Sequence, residues 1–114
     1  MIKVLVLLTR REGTSVEDFQ RYARENHMPL LRQLPGLTRL VVNYAQPDHT
    51  GSPPPYDAIA EDWFESGQAM AMAFQSPAGE AVQRDALNFL DMQKFQMIVV
   101  QEEEVVAAKE VTTA

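Results

Sequence analysis

Two hydrophobic periods alternate along the chain. Residues 2–9, IKVLVLLT, are branched and aliphatic with almost no polar interruption, the pattern of a strand apolar on both faces. From Ser15 the period becomes helical: Val16, Phe19, Ala23, His27, Leu30 and Leu34 recur at that spacing. Ser15 is placed to cap this helix with Asp18 in its first turn, and Pro35-Gly36 ends it after about five turns. A second strand is expected from Leu37 to Ala45, and QPDHTGSPPP, rich in turn formers, reads as a surface loop. Asp57 to Glu65 is the third strand. Ser66–Gln75 and Pro77–Leu90 are helical, divided at Ser76-Pro77 because proline restarts a helix at its first position. Phe95 to Val106 is the last expected strand, and residues 107–114 form a tail without a period, expected to be extended or mobile.

The order β-α-β-β-α-β predicts an α+β, ferredoxin-like domain over residues 1–106, a four-stranded antiparallel sheet with the helices on one face. The strands are nevertheless apolar on both faces: Val4 and Val6 against Leu5 and Leu7, Leu37 and Val41 against Leu40 and Val42, Met97 and Val99 against Ile98 and Val100. The expected cover for the second face is another copy of the chain, sheet against sheet, giving a dimeric α+β barrel with a cavity between the subunits. A monomer with one helix folded across the back is the simpler alternative, but both helical regions are already committed to the first face.

Composition narrows the function classes. At 114 residues the chain is one domain with no cysteine, which excludes a thiol nucleophile, a disulfide framework and thiolate metal sites. The apolar start is too short for a membrane span and lacks a cleavage signature, so a soluble, cytoplasmic protein is expected, with no membrane partner. A net charge of −6 argues against nucleic acid. Arg10, Arg11, Arg21 and Arg24 cluster near one helix and read most simply as a solvated face.

The stretch ENHMPLL, residues 25–31, holds the candidate chemistry. His27 lies on the apolar stripe, and Pro29 removes a helical N–H, leaving the Glu25 carbonyl without its usual donor and bending the helix near the imidazole. Glu61 and Trp63 share one face of the third strand. Histidine titrates near neutrality and can be both a hydrogen-bond donor to a buried carboxylate and a general acid or base. His27 and Glu61 are therefore the candidate catalytic pair, with Tyr22, Trp63 and Asp85 as candidate ligand contacts. Each also has a structural reading: a satisfied core histidine, an arginine-paired Glu61, a core or interface Trp63, a capping or surface-paired Asp85. The methionines at 70, 72, 92 and 97 read as packing. His27 and His49 are too far apart in the chain to suggest a metal site, and phosphate-binding glycine motifs and a GxSxG elbow are absent, so any chemistry is expected to be cofactor-free.

The segments FQRYARENHMPLLRQLPGL, YDAIAEDWFE and SPAGEAVQRDALNF occur in an order that resembles the EthD family of the dimeric α+β barrel superfamily, over nearly the whole chain from Ile2 to about Val105. The resemblance implies a ferredoxin-like protomer and a homodimer. The family's name comes from a gene cluster for degrading ethyl tert-butyl ether, and the wider superfamily includes cofactor-free monooxygenases, lactone isomerases and cyclases. Asp62 departs from the family pattern, in which an aliphatic residue commonly stands between this Glu and Trp, and that puts the assignment of this strand's faces in question. The expected function is binding of a small apolar or aromatic molecule in an enclosed cavity, with isomerase, cyclase, dehydratase or monooxygenase chemistry. A non-catalytic ligand-binding or accessory protein of a degradation or biosynthetic pathway is the alternative.

Overall fold

Strand pairing follows the aliphatic runs. In a computed structural model describing residues 1–112, β1 (Ile2–Leu8), β2 (Leu37–Tyr44), β3 (Ala58–Phe64) and β4 (Gln96–Val100) form one antiparallel sheet in the order β2-β3-β1-β4. Between them lie α1 (Val16–Tyr22), a π-helical segment (Ala23–His27), α2 (Met28–Leu31), α3 (Gly67–Gln75) and α4 (Pro77–Phe89). This is the ferredoxin-like arrangement. Register assigns the faces: Val4, Val6 and Leu8 of β1 stand opposite Asp62, Ala60 and Ala58 of β3, and opposite Val99 and Met97 of β4. These positions meet the helices, where Phe19, Leu31, Val82, Ala86 and Phe89 close the core.

The end of β4 and the start of β2 differ from expectation. β4 stops at Val100 instead of Val106, where Gln101 and three successive glutamates replace the branched residues that a strand favours. Residues 107–112 have no regular structure, and residues 113 and 114 of the expected tail lie outside the described residues. In β2 a bulge between Leu37 and Arg39 places Leu37 beside Phe64, so Leu37 shares the helix-facing side with Leu40 and Val42 and not with Val41.

The five-turn helix is broken into three pieces. Ahead of Pro29 the backbone widens, and the Met28 N–H reaches the Ala23 carbonyl five residues back. The wide turn inserts an extra residue, so Leu31 is buried and Leu30 is only half-buried. Ser15 caps its helix as expected, its hydroxyl accepting from the Asp18 N–H, and the structure adds two further caps, the hydroxyls of Ser66 and Ser76 accepting from the N–H groups of Ala69 and Gly79. The clustered arginines are absorbed by local contacts, Arg10 with Asp57, Arg21 with Asp18 and Arg24 over the Tyr44 ring. No helix among the described residues is long and apolar enough to cross a membrane.

Gly79 marks the tightest approach between α3 and α4. A Cβ there would lie 2.4 Å from the carbonyl oxygens of both Ala73 and Phe74, which are backbone atoms with little room to yield. Gly79→Ala is expected to cost about 1–3 kcal/mol, the usual scale of overpacking. The unfolding midpoint in urea measures it; an unchanged midpoint would contradict this close packing.

Candidate functional site

His27 is 4% exposed at the end of the π-helical segment. Its Nδ1 lies 2.8 Å from Asp85 Oδ2, and its ring packs on Phe89 with centroids 4.7 Å apart. Asp85 projects from α4 and also accepts from the Tyr22 hydroxyl at 2.6 Å and from Asn88 Nδ2 at 3.1 Å. Burial pushes this carboxyl up, but its hydrogen bonds from Tyr22, His27 and Asn88 outweigh that and hold it below the usual carboxylate range. It is therefore an acceptor at neutral pH. For His27 burial is the larger influence and pulls the imidazole below its ordinary value, although Asp85 opposes it. A neutral imidazole beside a carboxylate donates from Nδ1 and leaves a lone pair on Nε2.

His27 lines a cavity of about 530 Å³ between the helix layer and the sheet. Its walls are mostly aliphatic and aromatic, with Val6, Leu31, Ala60, Phe74 and Val82 among them, and the half-exposed Leu87, Met92 and Met97 form its rim. The volume falls within the roughly 300–1,000 Å³ of small-molecule sites. This cavity lies within the single chain, on the helix-covered side of the sheet. Met92 and Met97 belong to its rim and not to the packed core. Nε2 has no hydrogen-bond partner among the described residues, so it is the nitrogen available to an occupant.

The expected pairing of His27 with Glu61 does not form. Strand alternation sends Glu61 and Trp63 to the opposite side of the sheet, where they share a face with Lys3 and Leu5. Glu61 is paired there with Lys3 at 2.5 Å and with Asn43 Nδ2 at 2.8 Å. Lys3 is the main reason its carboxyl is held below the usual range. Trp63 is not a wall of the cavity either. Its ring is clamped between Lys3 and Arg39, 4.6 and 4.5 Å from the centroid. Tyr22 and Asp85 join His27 but do not line the cavity; they stand behind the imidazole.

Asp62 is the residue whose role the sequence did not reveal. It is 1% exposed, lines the same cavity as His27, and neither carboxyl oxygen has a hydrogen-bond partner among the described residues. Its neighbours across the sheet are Val4 and Leu40, with Ala60 and Phe64 on the same face of its own strand. Burial pushes this carboxyl up to about 7. The signal was available in the alternation Ala58, Ala60, Asp62, Phe64, which places one acid in an otherwise apolar inward row. Among the described residues no group of three or more His, Asp or Glu side chains is placed to hold a metal ion.

Comparison with known proteins fits this architecture. The EthD domain model matches residues 11–93. The chain belongs to the EthD family. An uncharacterized 11.0 kDa protein of Rhodococcus erythropolis, encoded in the thcB-thcC intergenic region, is 32% identical to this EthD protein over 71 residues, covering 62% of this chain and 68% of the relative. The crystal structure of an EthD family protein from Bacillus halodurans superposes with a TM-score of 0.79 at 21% identity, covering 90% of this chain and 99% of that one. SnoaB, a cofactor-independent oxygenase from Streptomyces nogalater, gives a TM-score of 0.66 at 10% identity, covering 94% and 97% of the two chains. These structural likenesses establish a shared fold.

The unpartnered Asp62 has a measurable consequence. Its folded-state pKa lies above the ordinary 3.8, so the unfolded chain ionises first as pH rises. The folded state therefore loses stability between about pH 4 and pH 7, and the loss is complete above that range. Asp62→Leu is expected to stabilise the protein at about pH 8 by on the order of 3–4 kcal/mol and to flatten the pH dependence across that window. Denaturant unfolding at several pH values checks this; a variant less stable than wild type at pH 8 would contradict it.

Proposed function

We propose that this EthD protein binds a small, largely apolar or aromatic molecule in the cavity beside His27 and acts on it by cofactor-free proton transfer. The observation that carries the reading is the Asp85-held imidazole with its second nitrogen free toward an apolar cavity. Nε2 takes a proton from the bound molecule, and Asp85 stabilises the imidazolium and fixes the tautomer. Tyr22 and Asn88 keep Asp85 ionised and in place. Apolar walls exclude water and strengthen each of these interactions. The compatible reactions are those that need a moved proton and an enclosed site: isomerisation, cyclisation, dehydration and cofactor-independent oxygenation. The fold shared with a cofactor-independent oxygenase supports the last of these.

The protomer is proposed to work as a homodimer. The sheet face away from the helices carries Leu5, Leu7, Val41 and Ile59 half-buried and Ile98 exposed, an apolar patch of the kind that a second copy would cover. Light scattering at micromolar concentration is expected to give twice the 12.9 kDa chain mass, and a monomer would remove this part of the reading.

The catalytic part is tested on turnover of whichever compound native mass spectrometry finds in the purified protein. His27→Gln and Asp85→Asn are both expected to lose about a hundredfold or more, the second because an amide donating to Nδ1 leaves Nε2 protonated. Tyr22→Phe removes only one of three donors to Asp85 and is expected to lose less. The base is the neutral imidazole, so the acid limb of the rate profile should lie below the ordinary histidine value of 6.5. A ligand retained unchanged, with no turnover for His27 to affect, would favour a binding protein.

A further inference from the structure

The second polar group of the cavity has no task in the scheme above. A carboxyl buried to 1% exposure, with both oxygens unpartnered, leaves the folded chain with hydrogen-bonding capacity unused at the ligand site. Among the described residues, the other lining groups, from β1, α2, α3, α4 and β4, bring no charged group to the cavity, and His27 is the only other titratable one. Gln83 lines it too, but its Nε2 is already given to the Phe74 carbonyl. With no cation and no donor to stabilise a carboxylate, the un-ionised acid is the form these surroundings favour. Such an acid has one O–H to donate, and the complementary partner is an acceptor oxygen of the ligand.

We propose that Asp62 is a second catalytic residue of the cavity, its carboxylic acid donating to a ketone oxygen of the ligand while His27 Nε2 removes a proton from the adjacent carbon. This assignment rests on the proposed function and names its substrate class, small apolar ketones with an acidic C–H beside the carbonyl. The step is balanced within the site. The C–H bond breaks and its proton goes to Nε2; the electron pair forms the C=C bond. The carbonyl π pair takes the Asp62 proton, giving an enol, an imidazolium and a carboxylate. Return of the imidazolium proton to carbon and of the enol proton to Asp62 restores both groups. In a β,γ-unsaturated ketone the enol is a dienol, and return of the imidazolium proton to its γ carbon, with the double bond moving to the α,β position, gives the conjugated isomer. Two groups perturbed in opposite senses, an acid held protonated toward neutrality and an imidazole held neutral, suit this division.

The test compares 2-tetralone with tetralin, a hydrocarbon of the same shape, in the wild-type protein and in variants. Tetralin binding followed by NMR reports whether the cavity takes an apolar molecule at all. If tetralin and the ketone both fail to bind, the proposed function and this assignment fall together. When tetralin binds, the wild type is expected to prefer the ketone by about tenfold at about pH 6 and to lose the preference by about pH 8.5, as the acid ionises. Asp62→Leu, expected to fold well, should bind the two probes equally at both pH values. Asp62→Asn keeps an N–H donor that does not titrate and should retain the preference at both. The second readout is deuterium exchange at the carbon between the ring and the carbonyl. It should fall by about a hundredfold in His27→Gln without loss of the ketone preference, and should fall also in Asp62→Leu. A wild type without ketone preference, or Asp62→Leu with the preference intact, would overturn the role of Asp62 and leave the cavity reading standing.

Discussion

Alternation along β3 is the constraint on which both sides of this protein depend. β3 lies inside the sheet, hydrogen-bonded to β2 and β1, so its register cannot slip without moving every side chain to the wrong face. In this register Ala58, Ala60, Asp62 and Phe64 turn toward the helices, and Ile59, Glu61 and Trp63 turn away. Of the two alanines in the inward row, Ala60 forms part of the cavity wall and Ala58 packs in the core. The outward row instead carries a ring clamped by two cations and a carboxylate paired with one of them. One strand thus separates an apolar interior with a cavity from a polar and aliphatic outer face.

Placing the imidazole over that interior takes two further devices, a local departure from regular helix and a clamp from α4. Pro29 cannot donate, and the chain ahead of it relaxes into a π turn whose last residue is His27. The turn alone would leave a histidine free to rotate. Asp85, from α4, holds Nδ1, and Phe89, one turn further along the same helix, packs on the ring. Two elements far apart in sequence therefore fix one side chain, and a shift of α4 would be felt at the imidazole. The close contact at Gly79 anchors the start of α4 and limits such a shift.

The fold was legible because it rests on period and punctuation. The Ser15 cap, the Ser76-Pro77 break and unbroken aliphatic runs located nearly every element. Local deviations were not legible: the π turn and the β2 bulge each add one residue to a repeat, and a periodic reading has no term for that. At the site, His27 and the bend beside it could be read from ENHMPLL. Its partner could not. Glu61 and Asp85 are both acids at plausible distances in the chain, and only the three-dimensional register shows that one faces away while the other reaches back from α4. Asp62 was conspicuous in the sequence, but its meaning depends on burial without a partner, a property of its surroundings and not of its identity.

Three carboxylates near the middle of this chain show how far the surroundings decide. Glu61 is held ionised by Lys3 and Asn43 at the outer face, where it pairs with the ammonium that lies over Trp63. Asp85 is partly buried, but three donors keep it ionised, which suits it to orient an imidazole and stabilise its cation. Asp62 has neither cation nor donor among the described residues, so burial pushes the same functional group up to about 7 and its un-ionised form persists toward neutral pH. Its presence lowers folding stability at neutral pH, because the unfolded chain gains an ionised form that the folded chain resists. An aliphatic residue would fit the inward row at no such cost, as the residues around it do. A buried, unpartnered acid in the wall of a ligand-sized cavity, lined also by an imidazole with a free nitrogen, is the arrangement on which the proposed role of Asp62 rests.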